Sequence, residues 1–265
     1  MDRRRFIHVS AAVGCCTLGL LPARAEILHF YDAINKSGRQ RMLSQRLAKS
    51  YLQIGQGIDP VRSNRIFTDS MSLFERQLAE LQSFAPTPEN RATLSDLKKT
   101  WLRYRESLTG SKPNPRDART VMSLSDEVLA LAQTATVQLE GLSGTATGHL
   151  VNISGRQRML SQRMAKFYQA INWSAASSDA LVKLTTARDE FLKAMAELTA
   201  SPKNSPAINA ELALAQQQWL FFDQALKSSI VDIKDKMRFA TNVATTSERI
   251  LETMDRITGM YEQLT

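Results

Sequence analysis

The sequence contains one ten-residue segment twice, Ser-Gly-Arg-Gln-Arg-Met-Leu-Ser-Gln-Arg, at 37–46 and at 154–163, without a single difference between the copies. Looser matches follow at similar offsets, since Trp101-Leu102 corresponds to Trp219-Leu220 and Ser125-Asp126 to Ser247-Glu248. The spacing of 117 residues is far longer than a solenoid repeat, which runs to roughly 20 to 50 residues. The chain is therefore predicted to be an internal duplication of a whole domain.

The composition of both halves predicts an all-α fold. Ala, Leu, Gln, Glu, Lys and Arg dominate long stretches, Gly and Pro are concentrated between them, and no run alternates as a strand would. The Gly and Pro positions predict eight helices, at about 26–56, 61–83, 87–110, 116–142, 147–173, 178–199, 205–229 and 231–264. Four helices with short connections, twice over, predict two tandem antiparallel four-helix bundles, with domains at 26–142 and 147–264.

The N-terminus has the pattern of an export signal. Arg3, Arg4 and Arg5 precede an apolar run over 6–21, and Ala23-Arg24-Ala25 is a small-x-small cleavage site. The arginines resemble a twin-arginine signal, whose pathway exports folded proteins. We therefore expect residues 1–25 to be a signal peptide that is cleaved after Ala25, and a periplasmic mature protein. An uncleaved membrane anchor is the alternative.

The charge and the cysteine content of the chain exclude several classes of function. Both cysteines, Cys15 and Cys16, lie in the predicted signal, so disulfides and thiol chemistry are not expected in the mature chain. Removal of residues 1–25 lowers the formal net charge from +8 to +5, because four arginines and Asp2 are lost. A moderately basic exported protein favours small anions or an anionic surface as partners and gives no case for nucleic acid.

A helical wheel separates the repeated segment into faces. Leu43, Leu47, Tyr51 and Ile54 form the predicted core face of the first copy. The opposite face places an arginine and a glutamine among mostly small and apolar residues. In the first copy this face comprises Ile34, Gly38, Arg41, Gln45, Ala48 and Leu52. In the second copy it comprises Val151, Gly155, Arg158, Gln162, Ala165 and Gln169. This second face is the candidate functional face.

The candidate ligand-binding residues are Gly38, Arg41, Gly155 and Arg158. Glycine costs about 1 kcal/mol against alanine within a helix, so its presence in both copies requires an offsetting close contact. A guanidinium presents planar donors that suit oxyanions, and two converging guanidinium groups would repel each other unless an anion lay between them.

Secondary candidates lie on the same segment: Gln45, Gln162, Arg39 and Arg156. The alternative for Arg39, Arg46, Arg156 and Arg163 is that they are solvated or ion-paired helix arginines.

The sequence gives no basis for an enzyme, a cofactor or a metal site. His29 and His149 are isolated in the sequence and are expected at the surface. Asp126, Glu127 and Glu248 have the pattern of solvated helix charges. No nucleophile-base pairing, metal-ligand spacing or phosphate loop appears.

The segment Ile34-Asn35-Lys36 followed by the decapeptide resembles the motif of the PilJ family, the type IV pilus chemotaxis-transducer sensory domain. It is more distantly similar to the periplasmic domain of the nitrate sensor kinase NarX. The second copy, Val151-Asn152-Ile153 and the decapeptide, is equally close.

The resemblance implies an all-helical sensor domain. In the nitrate-sensing relatives the arginine before methionine binds the anion across a symmetric dimer, helped by the backbone at the motif glycine. By position these residues are Arg41 with Gly38 and Arg158 with Gly155. Those relatives continue into a membrane helix and a signalling module, whereas this sequence ends at Thr265. A separate membrane-bound sensor or chemotaxis transducer is therefore the expected partner.

Two function hypotheses follow. The first is a periplasmic sensory protein that holds a small anion, nitrate-like or nitrite-like, between Arg41 and Arg158. It requires the chain to turn near 141–148, so that the two motif helices run parallel. The second is a ligand-free helical interaction module, whose motif face docks a membrane sensor or another copy of itself.

Overall fold

The computed structural model describes residues 29–227 and 233–264, and within them all regular structure is α-helical. The helices are α1 (Phe30–Gln56), α2 (Pro60–Phe84), α3 (Pro88–Thr109), α4 (Pro115–Ser143), α5 (Ala146–Asn172), α6 (Ala180–Thr199), α7 (Pro206–Lys227) and α8 (Ile233–Glu262). The all-α prediction is confirmed, and the helix ends agree with the predicted ones within a few residues. The predicted signal peptide, 1–25, lies outside the described residues.

Local sequence signals explain where the helices begin and end. Proline is the first residue of α2, α3, α4 and α7, a position where its missing N–H costs nothing. The side chains of Thr87, Asn114 and Thr145 cap α3, α4 and α5 by accepting a hydrogen bond from a backbone N–H of the first turn. Gly57 and Gly144 end α1 and α4 in the left-handed conformation, with φ of 71° and 59°.

The two halves of the chain repeat the same packing. In the first half Phe74 of α2 stacks on Trp101 of α3 with ring centroids 3.9 Å apart. In the second half Phe191 of α6 stacks on Trp219 of α7 at 4.5 Å. These rings help to fix each outer helix pair.

The inner helices α1, α4, α5 and α8 form the centre of the molecule. Helix α1 packs on α4 and α5, and helix α5 packs on α1 and α8. The turn at Gly144 reverses the chain between α4 and α5, as the first function hypothesis requires. Buried apolar residues from both halves form one continuous core. Both the apolar face and the motif face of α1 are therefore buried.

No helix within 29–227 and 233–264 is both long and apolar enough to cross a membrane.

Candidate functional site

The two copies of the decapeptide lie side by side in the middle of the molecule, on α1 and α5. Arg41 Nη2 donates a hydrogen bond to the carbonyl oxygen of Asn152 at 3.2 Å, and Arg158 Nη2 donates to the carbonyl oxygen of Asn35 at 3.3 Å. Each arginine thus reaches the same level of the opposite helix. This reciprocal pattern shows that α1 and α5 are related by a pseudo-twofold axis. The two helices run parallel, because Ile34 lies beside Gly148 near their first residues and Gln56 Nε2 donates to the carbonyl oxygen of Gln169 near their last.

The motif glycines make room for the two guanidinium groups. A Cβ atom at Gly38 would lie 3.0 Å from Arg41 Nη2 and 3.7 Å from Arg158 Nη2. A Cβ atom at Gly155 would lie 2.9 Å from Arg158 Nη2 and 3.7 Å from Arg41 Nη2. Both guanidinium groups therefore occupy the gap that the glycines leave between the helices, and the structure brings the four primary candidate residues together.

Only one arginine of the pair has a carboxylate partner. Arg158 Nη1 donates to Asp255 Oδ1, and the same oxygen accepts from Arg39 Nη2 at 2.8 Å. At the matching place in the first half, Arg41 Nη1 donates to the neutral amide oxygen of Gln133 at 2.6 Å. Among the described residues, Arg41 has no carboxylate within ion-pair distance. The pseudo-twofold symmetry is therefore broken at the charge that faces each arginine.

Two buried like charges make this pair electrostatically unusual. Arg41 and Arg158 are each 0% exposed. Burial, followed by the charges of Arg156 and Arg158, lowers the pKa of Arg41 to about 9. Burial lowers the pKa of Arg158 to about 10, although Asp255 opposes that change. Both groups remain charged at pH 7, and the Nε atom of each is a buried donor without an acceptor in the described part of the chain.

Two asparagines and two glutamates flank the pair with the same symmetry. The Asn35 amide donates to Glu262 on α8, and the Asn152 amide donates to Glu140 on α4. Asn35 Oδ1 accepts from Arg158 Nη2 at 2.8 Å, whereas Asn152 Oδ1 has no hydrogen-bond partner among the described residues. The surroundings of Arg41 thus satisfy fewer hydrogen bonds than those of Arg158.

The secondary candidates Gln45 and Gln162 hold the helices together. Gln45 Nε2 donates to the carbonyl oxygen of Ser125 on α4 at 2.9 Å, and Gln162 Nε2 donates to that of Ser247 on α8 at 3.0 Å. These bonds join each motif helix to the last helix of its own half. Neither amide contacts the arginine pair through any hydrogen bond in the described structure.

The other motif arginines are ion-paired and partly buried. Their side chains are between 19% and 40% exposed, and the pairs are Arg39–Asp255, Arg46–Glu248, Arg156–Glu190 and Arg163–Asp126. Three of the four pairs join one half to the other. The secondary candidates Arg39 and Arg156 therefore lie beside the arginine pair but already have carboxylate partners.

Two buried lysines were missed by the sequence analysis. Lys49 and Lys166 are each 0% exposed, and they pair with Glu248 and Asp126 across the two halves. The prediction that Glu248 and Asp126 are solvated was wrong for both, since their side chains are 2% and 29% exposed. The wheel treated each helix alone, whereas these carboxylates meet cations from the other half. The repetition of a lysine and an acid at matching positions was the available signal.

His149 is also less isolated than its sequence suggested. Its Nδ1 lies 2.6 Å from Glu140 Oε1, and its Nε2 lies 2.8 Å from Glu197 Oε1. Burial alone would lower the pKa of His149, but the bonds to Glu197 and Glu140 outweigh it and raise the pKa above 6.5. The imidazole is half exposed and bridges α4, α5 and α6.

The fold and the paired motifs define this protein as a covalent pseudo-dimer of helical domains. A family model described as the type IV pili methyl-accepting chemotaxis transducer N-terminal region, PilJ, matches residues 29–136 and again 143–257. The chain therefore belongs to the PilJ family and carries its domain twice. No curated protein and no solved structure matches the chain.

Proposed function

We propose that the chain is a periplasmic sensory protein that holds a small oxyanion, such as nitrate or nitrite, between Arg41 and Arg158. The observation that carries the proposal is that two fully buried guanidinium groups meet in the gap beside Gly38 and Gly155. Only one of the two, that of Arg158, pairs directly with a carboxylate. Membership of the PilJ family supports the sensory role. The anion itself rests on the geometry and charge of the pair.

The chemistry of the pair suits a planar oxyanion. Guanidinium donors form charge-assisted hydrogen bonds with oxyanions, and these bonds strengthen where water is excluded. The unpartnered Nε donors and the missing carboxylate at Arg41 leave positive charge uncompensated. An anion between α1 and α5 would remove the repulsion between the arginines and so change the preferred spacing of these helices. That displacement is the proposed signal.

Calorimetric titration with nitrate, nitrite and sulfate tests the proposal on residues 26–265. The arginine pair is fully buried, so an anion could bind slowly and escape detection by calorimetry. Equilibrium dialysis over hours is therefore used beside the titration. We expect binding of at least one anion, and its loss when Arg41→Gln and Arg158→Gln are combined. Arg103→Gln is the matched control, since it removes one exposed arginine of α3. Absence of binding to the native chain, or equal binding by the double variant, would end the proposal.

The second candidate, a ligand-free interaction module, finds support on a different surface. The motif face is buried inside the chain, so it is not available for docking. Helices α6 and α7 instead expose Leu181, Val182, Leu220 and Phe221, which are 64% to 67% exposed. Phe221 stands where the first half has Arg103. We propose a second copy of the chain as the occupant, because these exposed side chains are apolar and would be covered by the same side chains of another copy.

Light scattering at several protein concentrations tests this alternative. Self-association predicts a mass that rises toward a dimer and returns to the monomer in Phe221→Arg, which copies the first half. A monomer at every concentration removes the alternative. The two candidates are distinguishable, because Phe221→Arg leaves the arginine pair intact.

A further inference from the structure

A second cleft, separate from the arginine pair, opens on one side of the molecule between α4, α5 and α6. Its volume is about 440 Å³, which falls within the range of small-molecule sites. Each helix contributes two residues seven positions apart, and these are Asp126 and Gln133, Arg156 and Arg163, and Lys183 and Glu190. Seven residues of helix span about 10 Å, so the cleft has two polar ends separated by that length.

Cations predominate at the first end of the cleft. Arg163, Lys166 and Lys183 all lie within 3.9 Å of the single carboxylate of Asp126. Lys166 is fully buried beneath it, and Lys183 also pairs with Asp179 at 3.0 Å. Three cations thus face two carboxylates, and Arg163 and Lys183 border the open cleft.

The second end of the cleft offers a further guanidinium. Arg156 Nη2 pairs with Glu190 at 2.8 Å, while its Nε is a buried donor without an acceptor among the described residues. Gln133 lies beside it and presents a neutral amide. Between the two ends the walls comprise the apolar Leu129, Ala130, Met159 and Ala187 together with Thr186.

The opposite face of the molecule provides an internal comparison. The pseudo-twofold axis places Glu252 where the cleft has Ala130, Asp255 where it has Gln133, and Ile66 where it has Lys183. The opposite face also has Asp69 for Thr186 and Leu73 for Glu190, so over the lining positions it gains three carboxylates, loses one and loses a lysine. A groove next to the cleft, beside Asp126 and Phe167, has a volume of about 530 Å³, whereas the matching groove around Glu248 has a volume of about 10 Å³. The net positive lining of the cleft is thus specific to one side.

We propose that this cleft binds a linear dicarboxylate whose middle is apolar. The whole ligand has about four to six carbon atoms, including the two carboxylate carbons, a length set by C–C bonds of about 1.5 Å. One carboxylate lies with Arg163 and Lys183, and the other lies with Arg156 and the Gln133 amide. The hydrocarbon middle contacts Met159 and Leu129. The dicarboxylate contacts neither Arg41 nor Arg158, and its binding does not depend on the anion proposed for them, although Gln133 also accepts a hydrogen bond from Arg41.

Titration calorimetry with succinate, glutarate and adipate tests the proposal on residues 26–265. Ala130→Glu copies the acid of the opposite face into the exposed wall of the cleft, and we expect it to weaken binding at least about tenfold through repulsion. Glu252→Ala is the matched control and should leave the affinity unchanged, because it alters only the opposite face. Lys183→Ile should weaken binding as well.

The outcomes separate this site from the arginine pair. The combined Arg41→Gln and Arg158→Gln variant is expected to lose nitrate or nitrite and to keep the dicarboxylate. The proposal is overturned if no dicarboxylate binds the native chain, if Ala130→Glu binds as tightly as the native chain, or if butyrate binds as tightly as succinate.

Discussion

Gln133 and Asp255 occupy matching positions on α4 and α8, and each accepts a hydrogen bond from a buried arginine, but only Asp255 carries a charge. The two arginines are therefore not equivalent. Arg158 has a carboxylate partner, which it shares with Arg39, whereas Arg41 has none among the described residues. This difference leads to the first prediction.

Gln133→Glu should stabilise the ligand-free protein, because it supplies the missing carboxylate to Arg41. We expect the free energy of unfolding to rise by about 1 kcal/mol. Asp255→Asn should lower it by about 2 kcal/mol, less than the roughly 3 kcal/mol or more for breaking a fully buried pair, because Asp255 is partly exposed. Urea unfolding at pH 7 measures both. Changes of the same sign in the two variants would contradict the asymmetry, and Gln133→Glu should also abolish anion binding.

Gly155→Ala should destabilise the protein despite the better helix propensity of alanine. The new Cβ would lie 2.9 Å from Arg158 Nη2, which is held in place by Asn35 and Asp255. We expect a loss of about 1 kcal/mol in thermal or urea unfolding. Gly259→Ala is the control, since nothing lies within 4 Å of its Cβ, and it should gain about 0.5 to 1 kcal/mol.

A double-mutant cycle identifies the cause of that loss. In an Arg158→Ala background, Gly155→Ala should become neutral or stabilising, because the clashing group is absent. A loss of the same size in both backgrounds would show that the glycine serves another contact.

Glu248 should make stability depend on acid pH. Burial alone would raise the pKa of Glu248, but the charges of Lys49 and Arg46 lower it from 4.5 to about 2. Its contribution is therefore present above pH 4.5 and lost as the pH falls through about 2. Glu248→Gln leaves Lys49 buried without a carboxylate and should cost about 3 kcal/mol or more at pH 7.

Urea unfolding between pH 5 and pH 2 measures this contribution. The native chain should lose more stability over that range than Glu248→Gln does. Glu127→Gln, which alters an exposed carboxylate paired with Arg103, should follow the native chain. Parallel pH curves for the native chain and Glu248→Gln would refute the assignment.

His149 should make stability depend on pH near neutrality. Its folded pKa is raised above 6.5, so its stabilisation is complete below pH 6.5 and is lost as the pH rises through the folded value. The melting temperature of the native chain should fall more between pH 6 and pH 9 than that of His149→Gln. An equal fall in both chains would show that the bridge to Glu140 and Glu197 contributes nothing.

Much of the fold follows from local signals in the sequence. Proline at the start of α2, α3, α4 and α7 and glycine after α1 and α4 place six helix ends, because these residues act on their own backbone. The helical wheel also selected the face that carries Arg41 and Arg158. The helix positions and the functional face of the motif could therefore be predicted from the sequence.

The partners of the motif residues were not accessible in the same way. Asp255 and Gln133 are far from the arginines in sequence, and their contacts depend on how α4 and α8 pack on the motif helices. Glu248 meets Lys49 only because the halves pack together. A helical wheel describes one helix alone and includes no neighbouring helix. The sequence therefore predicted that Glu248 would be exposed to solvent.

The short turn between α4 and α5 has a consequence for how such a site can evolve. In a dimer of identical chains, any residue change appears on both sides of the axis, so the two arginines must always face the same neighbour. Here the peptide link at Gly144 joins the two copies in one gene product, and each side accepts its own substitutions. The pairing of the copies also becomes intramolecular, so that it persists at any dilution of the protein.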